Sequence, residues 1–507
     1  MTGTATGAPA VTWRPHDSEP DYQVATVAVP RDHDQPDGPR IDLEVIRRPA
    51  ADHQRRLGTL FFVPGGPAFP GVTLLPSHHR FLPAEVRERF DVVSLDPRGS
   101  GASTPVRGFA SMEEAMTIFA GLPQPFPTTD AEGEVWIERF TEFGALIRER
   151  NADLLPCIST TGTAHDIALL ADALGEEQIN FYGISYGALL GIVLANLYPQ
   201  RVRAMVLDGS IDPVAWYHAD AEPELCTPLR VGFDLAADAG LDRFLDLAGA
   251  SASPFSAGSP EATRAKFATL LQRLRDRPVR LSTPAGPAEV NYGTVIAHMW
   301  VTLYQTAYWA EQAQRLQDLW LASEADGDDP YVTAFDFSGS PNGADVPPLF
   351  ASPPEQSLTL LGSDAPAPAD AQSWFAQAKL AEDRAGGMGS IVAWPAVATA
   401  GWPAAAGRYT GPWDRATAAP LLFIGVTGDP GTPYEVTRRL SDTMPGARLV
   451  TVDGVGHTTH YNPDERVHRL IAAYLADGKL PPPGTTLRQE NSPFPQLNRT
   501  TTGRPAS

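Results

Sequence analysis

Apolar and polar positions alternate in two early stretches, "YQVATVAVP" (22–30) and "RIDLEVIRRP" (40–49), with the turn-rich "RDHDQPDGP" between them. That pattern predicts two strands joined by a loop. The next apolar runs are continuous rather than alternating. "LGTLFFVPGGPAFPG" (57–71) and "FDVVSLDPRGSGAS" (90–103) each hold an unbroken apolar segment that stops at a Pro- or Gly-rich loop. Strands buried on both faces, as in a parallel sheet, read this way. Residues 131–150 and 161–175 carry helical spacing; in the second, Thr163 is placed to cap the start and Gly175 to stop the helix. "QINFYGIS" (178–185) then predicts a strand, "YGALLGIVLANLYP" (186–199) a helix ended by Pro199, and "RVRAMVLDGSIDP" (201–213) another strand. Strand and helix alternating at this spacing predict a mostly parallel, twisted α/β sheet with helices on both faces.

The pattern breaks after residue 213. From 214 to 415 the chain is mostly helical, with "ATRAKFATLLQRLRDR" and the long "GTVIAHMWVTLYQTAYWAEQAQRLQDLWLASEA" separated by Pro-, Gly- and Ala-rich segments. The second run reads as one helical stretch, whose Trp300, Tyr304, Tyr308 and Trp309 are expected in the core. Strand–loop–helix order resumes with "APLLFIGVTGDPGTPYEVTRRLSDTM" and "ARLVTVDGVGHTTHYNPDERVHRLIAAYLADG". The expected organisation is a sheet core in two parts, 20–213 and 416–478, with 214–415 inserted as a cap over the carboxyl ends of the strands. A Pro- and Thr-rich tail, 479–507, is expected to wrap the surface or fray.

Composition narrows the function classes. The chain has 507 residues, 43% hydrophobic and 20% charged, a balance that supports a large buried core. A net charge of −21 argues against a nucleic-acid partner, because phosphates reward clustered Lys and Arg. No apolar run approaches the roughly 20 residues needed to span a bilayer, so no membrane partner is expected. The start, "MTGTATGAPAVTWRP", has neither a basic opening nor an apolar export segment, and a cytoplasmic location is expected. Cys157 and Cys226 are expected as buried thiols rather than a bridge. Composition leaves the oligomeric state open.

The chemistry concentrates in three loops. "GISYG" (183–187) puts Ser185 between two glycines where a strand turns into a helix, the arrangement called the nucleophile elbow in α/β-hydrolases. A serine hydroxyl needs a base and an orienting acid to act as a nucleophile. His457, in the loop "DGVGHTTH" after an apolar strand, is the base; His460 is its local competitor, nearer the following helix, where Asn462-Pro463 reads as cap and first turn. Asp429, alone in the loop of "PLLFIGVTGDPGTP", is the acid, with Asp208 in "VLDGS" as runner-up. The chain order Ser–Asp–His is that of α/β-hydrolases. An oxyanion hole needs two backbone N–H groups. One comes from Tyr186, and the other from the "PGGPA" loop, from Gly66 with Gly65 as alternative. "HH" at 78–79 has no partner at metal-ligand spacing, no C-x-x-C occurs, and "GGPAFPG" lacks the Lys of a phosphate loop. No metal or cofactor is expected, and "DPRGSGAS" is expected as a structural loop near the rim of the site.

Four segments in order, "PGGPA", "VVSLDPRGSGAS", "GISYGALLG" and "GDPGTP…GVGHTTH", resemble the tripeptidyl aminopeptidase and proline iminopeptidase branch of the α/β-hydrolase serine exopeptidases. The resemblance implies Ser185 as nucleophile, Asp429 as acid, His457 as base, and Gly66 and Tyr186 at the oxyanion. It implies an aminopeptidase that releases short N-terminal units from small peptides through an acyl-enzyme. Acidic cap residues bind the substrate ammonium in that branch, which makes Asp220, Glu222 and Glu224 of "HADAEPEL" candidates. The chain departs from the family pattern in having Pro67-Ala68 where "GGPG" is usual. It also has leucine in "LPPPGTTLRQ" where many exported relatives have cysteine. The missing export segment and a cap that matches the family only in being helical and in its position motivate a second reading, in which the same machinery acts as an ester or amide hydrolase, cyclase or acyltransferase on a specialised-metabolite intermediate. A non-catalytic binding protein on the same scaffold is the third reading.

Overall fold

The computed structural model describes residues 9–123, 125–217, 225–283, 286–324, 353–490 and 492–494. Seven strands come first: β1 (Arg14–Pro15), β2 (Gln23–Pro30), β3 (Arg40–Arg48), β4 (Gly58–Val63), β5 (Phe90–Leu95), β6 (Ile179–Ile184) and β7 (Val202–Asp208). A separate hairpin of β8 (Val279–Thr283) and β9 (Gly286–Val290) follows, then β10 (Leu422–Gly428), β11 (Arg448–Val455) and β12 (Thr486–Arg488). Apart from the hairpin they form one sheet in the order β1-β2-β3-β5-β4-β6-β7-β10-β11-β12. The pairings up to β3–β5 are antiparallel, and every pairing from β5 to β12 is parallel. This is the mostly parallel α/β sheet that the strand–helix alternation predicts.

The continuous apolar runs have a direct cause. Every residue of β4, β5 and β6 is buried. Phe61, Val93, Phe181 and Leu207 face one apolar layer, while Leu60, Phe62, Val92, Tyr182 and Val206 face the other. Helices cover both faces, so these strands offer no position to water, and Asp91, Ser94 and Asn180 within them are buried with hydrogen-bond partners. Asp166, wholly buried on the helix Thr160–Ala173, receives a forked pair of bonds from Arg98 (2.8 and 2.6 Å). The "DPRGSGAS" loop is thereby pinned as structure rather than as a phosphate cradle.

Between β7 and β10 the chain runs mainly through helices. They include Phe233–Gly249, Pro260–Asp276, Tyr292–Leu303, Trp309–Glu324, Pro354–Asp364 and Trp374–Ala393. Several local expectations need correction. The described part of this run, 293–324, is two helices, broken where Gln305 turns extended (φ −124°, ψ 111°) and the carbonyl of Tyr304 accepts from the His457 loop. The helix at 160–173 is capped by Ser159, whose hydroxyl accepts from Gly162 N (2.9 Å), rather than by Thr163. Asp464, not Asn462, caps the helix Glu465–Asp477. The tail does not simply fray: β12 adds to the sheet edge, and Phe494 is buried against Phe244 and Trp309. Cys157 and Cys226 are both free thiols; Cys226 is buried, but Cys157 is only partly so.

Candidate active site

Ser185 stands at the single residue between β6 and the helix Tyr186–Leu197, with φ +55° and ψ −122°. A side chain larger than hydrogen on either flanking glycine would prevent that turn. A Cβ on Gly183 would stand 2.1 Å from Gly187 O, and one on Gly187 2.4 Å from Val63 O in β4. The strand, the turn and the neighbouring strand therefore close to a distance only glycine permits. The backbone N–H of Ser185 donates to Asp208 O (2.9 Å) at the end of β7, and Ser185 is partly exposed among buried neighbours.

Asp429 follows β10 directly, and His457 lies just past β11. His457 Nδ1 is 2.7 Å from Asp429 Oδ1, and their side chains are 2% and 1% exposed. The same carboxylate accepts from Gly431 N (2.7 Å), Thr432 N (2.9 Å) and Thr458 N (3.1 Å). A carboxylate surrounded by donors is an acceptor only, so the proton between it and His457 sits on Nδ1. In the neutral imidazole this tautomer presents Nε2 as an acceptor, the arrangement a general base requires. Thr458, next in the chain, has φ +54°, a region that strains a β-branched residue and marks a site held by its surroundings.

Asp208 ties the halves together instead of serving as the partner of His457. Its main-chain oxygen holds Ser185, while its carboxylate accepts from Thr459 N (2.9 Å), Thr459 Oγ1 (2.7 Å) and His460 N (3.2 Å). Complete burial pushes its carboxyl up to about 7, helped by the nearby Asp429 charge and opposed by the Thr459 bonds. His460 points elsewhere: it stacks on His78, Nε2 to Nδ1 3.1 Å, in the opposite apolar layer beside Phe62. Burial lowers its affinity for a proton well below the usual histidine range.

Gly65 and Gly66, after β4, both have left-handed φ, +104° and +117°. Gly65 lies nearer the serine, since a Cβ there would meet Ser185 Cβ at 3.3 Å, whereas one on Gly66 would meet Ala68 N and Phe69 N. Tyr186 is the first residue of its helix, where an N–H has no intrahelical acceptor. Asp220, Glu222 and Glu224 lie outside the described residues. Among the described residues no group of three His, Cys, Asp or Glu side chains is placed to hold a metal ion. No described helix is long and apolar enough to cross a membrane.

Comparison with known proteins identifies the family. The profile of a family described as TAP-like protein matches residues 387–487. Over 479 residues the chain is 31% identical to a protein named Carboxylesterase B of Mycobacterium tuberculosis, covering 92% of this chain and 85% of that one. It is 28% identical to Serine protease Hip1 of the same species, over 90% and 86%. With Tripeptidyl aminopeptidase of Streptomyces lividans the identity is 26%, over 93% and 85%. The chain belongs to the TAP-like serine hydrolases of the α/β-hydrolase fold.

In this TAP-like hydrolase two residues beside the site escape sequence reasoning. Tyr304, expected in the core, is half-buried with its ring edge-on to His457 (centroids 4.6 Å), and its carbonyl accepts His457 N (2.9 Å). Asn462, expected as a cap, instead donates to Tyr304 O (2.9 Å) and His457 O (3.0 Å) and accepts Thr306 N (2.9 Å). The bonds to the 304–306 segment span more than 150 positions of chain, and no local pattern carries such a signal.

Proposed function

We propose that the TAP-like hydrolase cleaves short N-terminal units from small peptides through an acyl-enzyme on Ser185. The observation that carries this reading is the buried Asp429–His457 pair, on a loop tied through Asp208 to the positive-φ elbow of Ser185. Ser185 Oγ attacks the scissile carbonyl as its proton passes to His457 Nε2, and Asp429 holds the imidazolium that results. The N–H of Tyr186 and that of Gly66 or Gly65 receive the oxyanion. His457 then returns the proton to the leaving amine, and water, activated the same way, releases the acyl group. Each oxyanion donor is expected to contribute about 3–4 kcal/mol to the transition state. The helical insertion, in contact with the His457 loop through Tyr304, would act as a cap that limits access to short substrates.

The peptide assignment is supported by the relatives named for peptidase activity; a second reading is supported by the relative named carboxylesterase, which has the higher identity. Peptide p-nitroanilides and the matching p-nitrophenyl esters, each with a free and an acetylated amine, separate the two. A kcat/KM that needs the free amine supports the aminopeptidase. Indifference to the amine, with esters turned over far faster than amides, would replace it with the esterase.

A further inference from the structure

We propose that the helix Pro354–Asp364 of the insertion positions both halves of the oxyanion hole, through Ser357 at one end and Asp364 at the other. The inference rests on the hydrolase reading above, in which the loop of Gly65–Gly66 and the N–H of Tyr186 receive the oxyanion. Near the start of the helix, Ser357 Oγ donates to Pro67 O (2.9 Å), the carbonyl of the residue that follows Gly66. One residue earlier, Gln356 Oε1 accepts Gly101 N (3.0 Å), which fixes the helix against the neighbouring core loop.

Two helical turns on, about 10 Å away along the axis, Asp364 is completely buried. Its carboxylate accepts from Thr160 N (2.9 Å), Thr160 Oγ1 (2.5 Å) and Trp216 Nε1 (2.9 Å). Thr160 Oγ1 is also 2.5 Å from Tyr186 OH. Thr160 has one hydroxyl hydrogen, and an acceptor-only carboxylate claims it, so the Tyr186 hydroxyl donates to Thr160. The chain of bonds Tyr186–Thr160–Asp364 therefore has a defined direction and ends on the insertion. All three side chains are buried, so no water competes for these bonds. One rigid element thus holds the residue next to one oxyanion donor and the side chain of the other. Ser357, Asp364 and Thr160 touch no reacting atom; they are positioning residues.

The test compares Ser357→Ala and Ser357→Thr, and Thr160→Val and Thr160→Ser, with the wild-type chain. Turnover of p-nitrophenyl acetate and the rate of fluorophosphonate labelling are measured alongside thermal melting. Misplacing an oxyanion donor lowers kcat with little change in KM, because the oxyanion exists only in the transition state. Ser357→Ala and Thr160→Val are each expected to lower kcat about tenfold and labelling to a similar degree. The hydroxyl-retaining Ser357→Thr and Thr160→Ser should return to within about threefold of wild type. Wild-type kcat in Ser357→Ala and Thr160→Val, or a change confined to KM, would overturn the inference. So would a loss that follows melting temperature and is not rescued by the hydroxyl variants. A wild-type chain that takes no label would overturn the hydrolase reading and this inference with it, whereas a labelled wild type with unaffected variants overturns only the inference.

Discussion

Replacing Asp429 with asparagine removes one charge and leaves the shape of the site nearly intact. Three of the four donors at this carboxylate converge on Oδ1: Gly431 N, Thr432 N and His457 Nδ1–H. An asparagine therefore places its oxygen there, and its amide group faces Thr458 N, the donor at the other oxygen. One buried donor is left facing another, at a cost of about 1–3 kcal/mol in stability. The His457 tautomer survives, since its Nδ1–H still meets an oxygen. What disappears is the anion beside the imidazolium that forms when Ser185 gives up its proton. Two unit charges about 4 Å apart at an effective dielectric of 20 attract by about 4 kcal/mol. With both side chains almost fully buried, that attraction is little screened. Asp429→Asn should thus lower kcat for p-nitrophenyl acetate about a thousandfold, with KM within a few-fold of wild type. Asp208→Asn keeps an oxygen toward Thr459 and His460 and should cost less than tenfold. A kcat within tenfold of wild type for Asp429→Asn, in protein whose circular dichroism is unchanged, would refute the assignment. An equal loss in Asp208→Asn would move the acid to Asp208.

Gly187→Ala should abolish the elbow, because its Cβ would press on Val63 O, a backbone atom with nowhere to move; a loss of about 1–3 kcal/mol by urea denaturation and at least a hundredfold in kcat is expected. Asp208 binds its proton more tightly in the folded chain, about 7 against 3.8, so its contribution is full below pH 3.8 and fades as pH climbs through 7. The stability difference, wild type minus Asp208→Asn, should therefore fall by up to about 4 kcal/mol between pH 4 and pH 8, and a rise over that range would contradict it. Arg98→Ala leaves the wholly buried Asp166 with His33 (2.9 Å) but without its guanidinium partner, and should cost about 3–5 kcal/mol in chemical denaturation.

The parts of this protein that were legible in its sequence are those set by neighbouring residues. Apolar runs without alternation marked β4 and β5 because both faces of each are buried, and the glycines around Ser185 marked a turn that admits no side chain. Asp429 and His457 stood out because each ends a strand in a short polar loop. Long-range contacts were not legible. The helical pattern ran straight through Tyr304, yet its carbonyl is used by a loop at 457, and the helix breaks there. The cap expected at Asn462 failed because its side-chain oxygen accepts from Thr306 N and Oγ1 while its amide donates to Tyr304 and His457, leaving Asp464 to start the helix. The sequence reading chose Gly66 with Gly65 as alternative, yet Gly65 lies nearer Ser185, a difference set by how the loop after β4 meets the elbow after β6.

The central claim is that Ser185 is the nucleophile, and covalent capture tests it whatever the substrate. The full chain is treated with a fluorophosphonate, digested, and the adduct located by mass spectrometry, with Ser185→Ala in parallel. The account predicts one modified peptide, carrying the phosphonyl group on Ser185, and no adduct in Ser185→Ala. A wild-type chain that stays unmodified, or a variant that labels and hydrolyses p-nitrophenyl acetate as well as wild type, would contradict it.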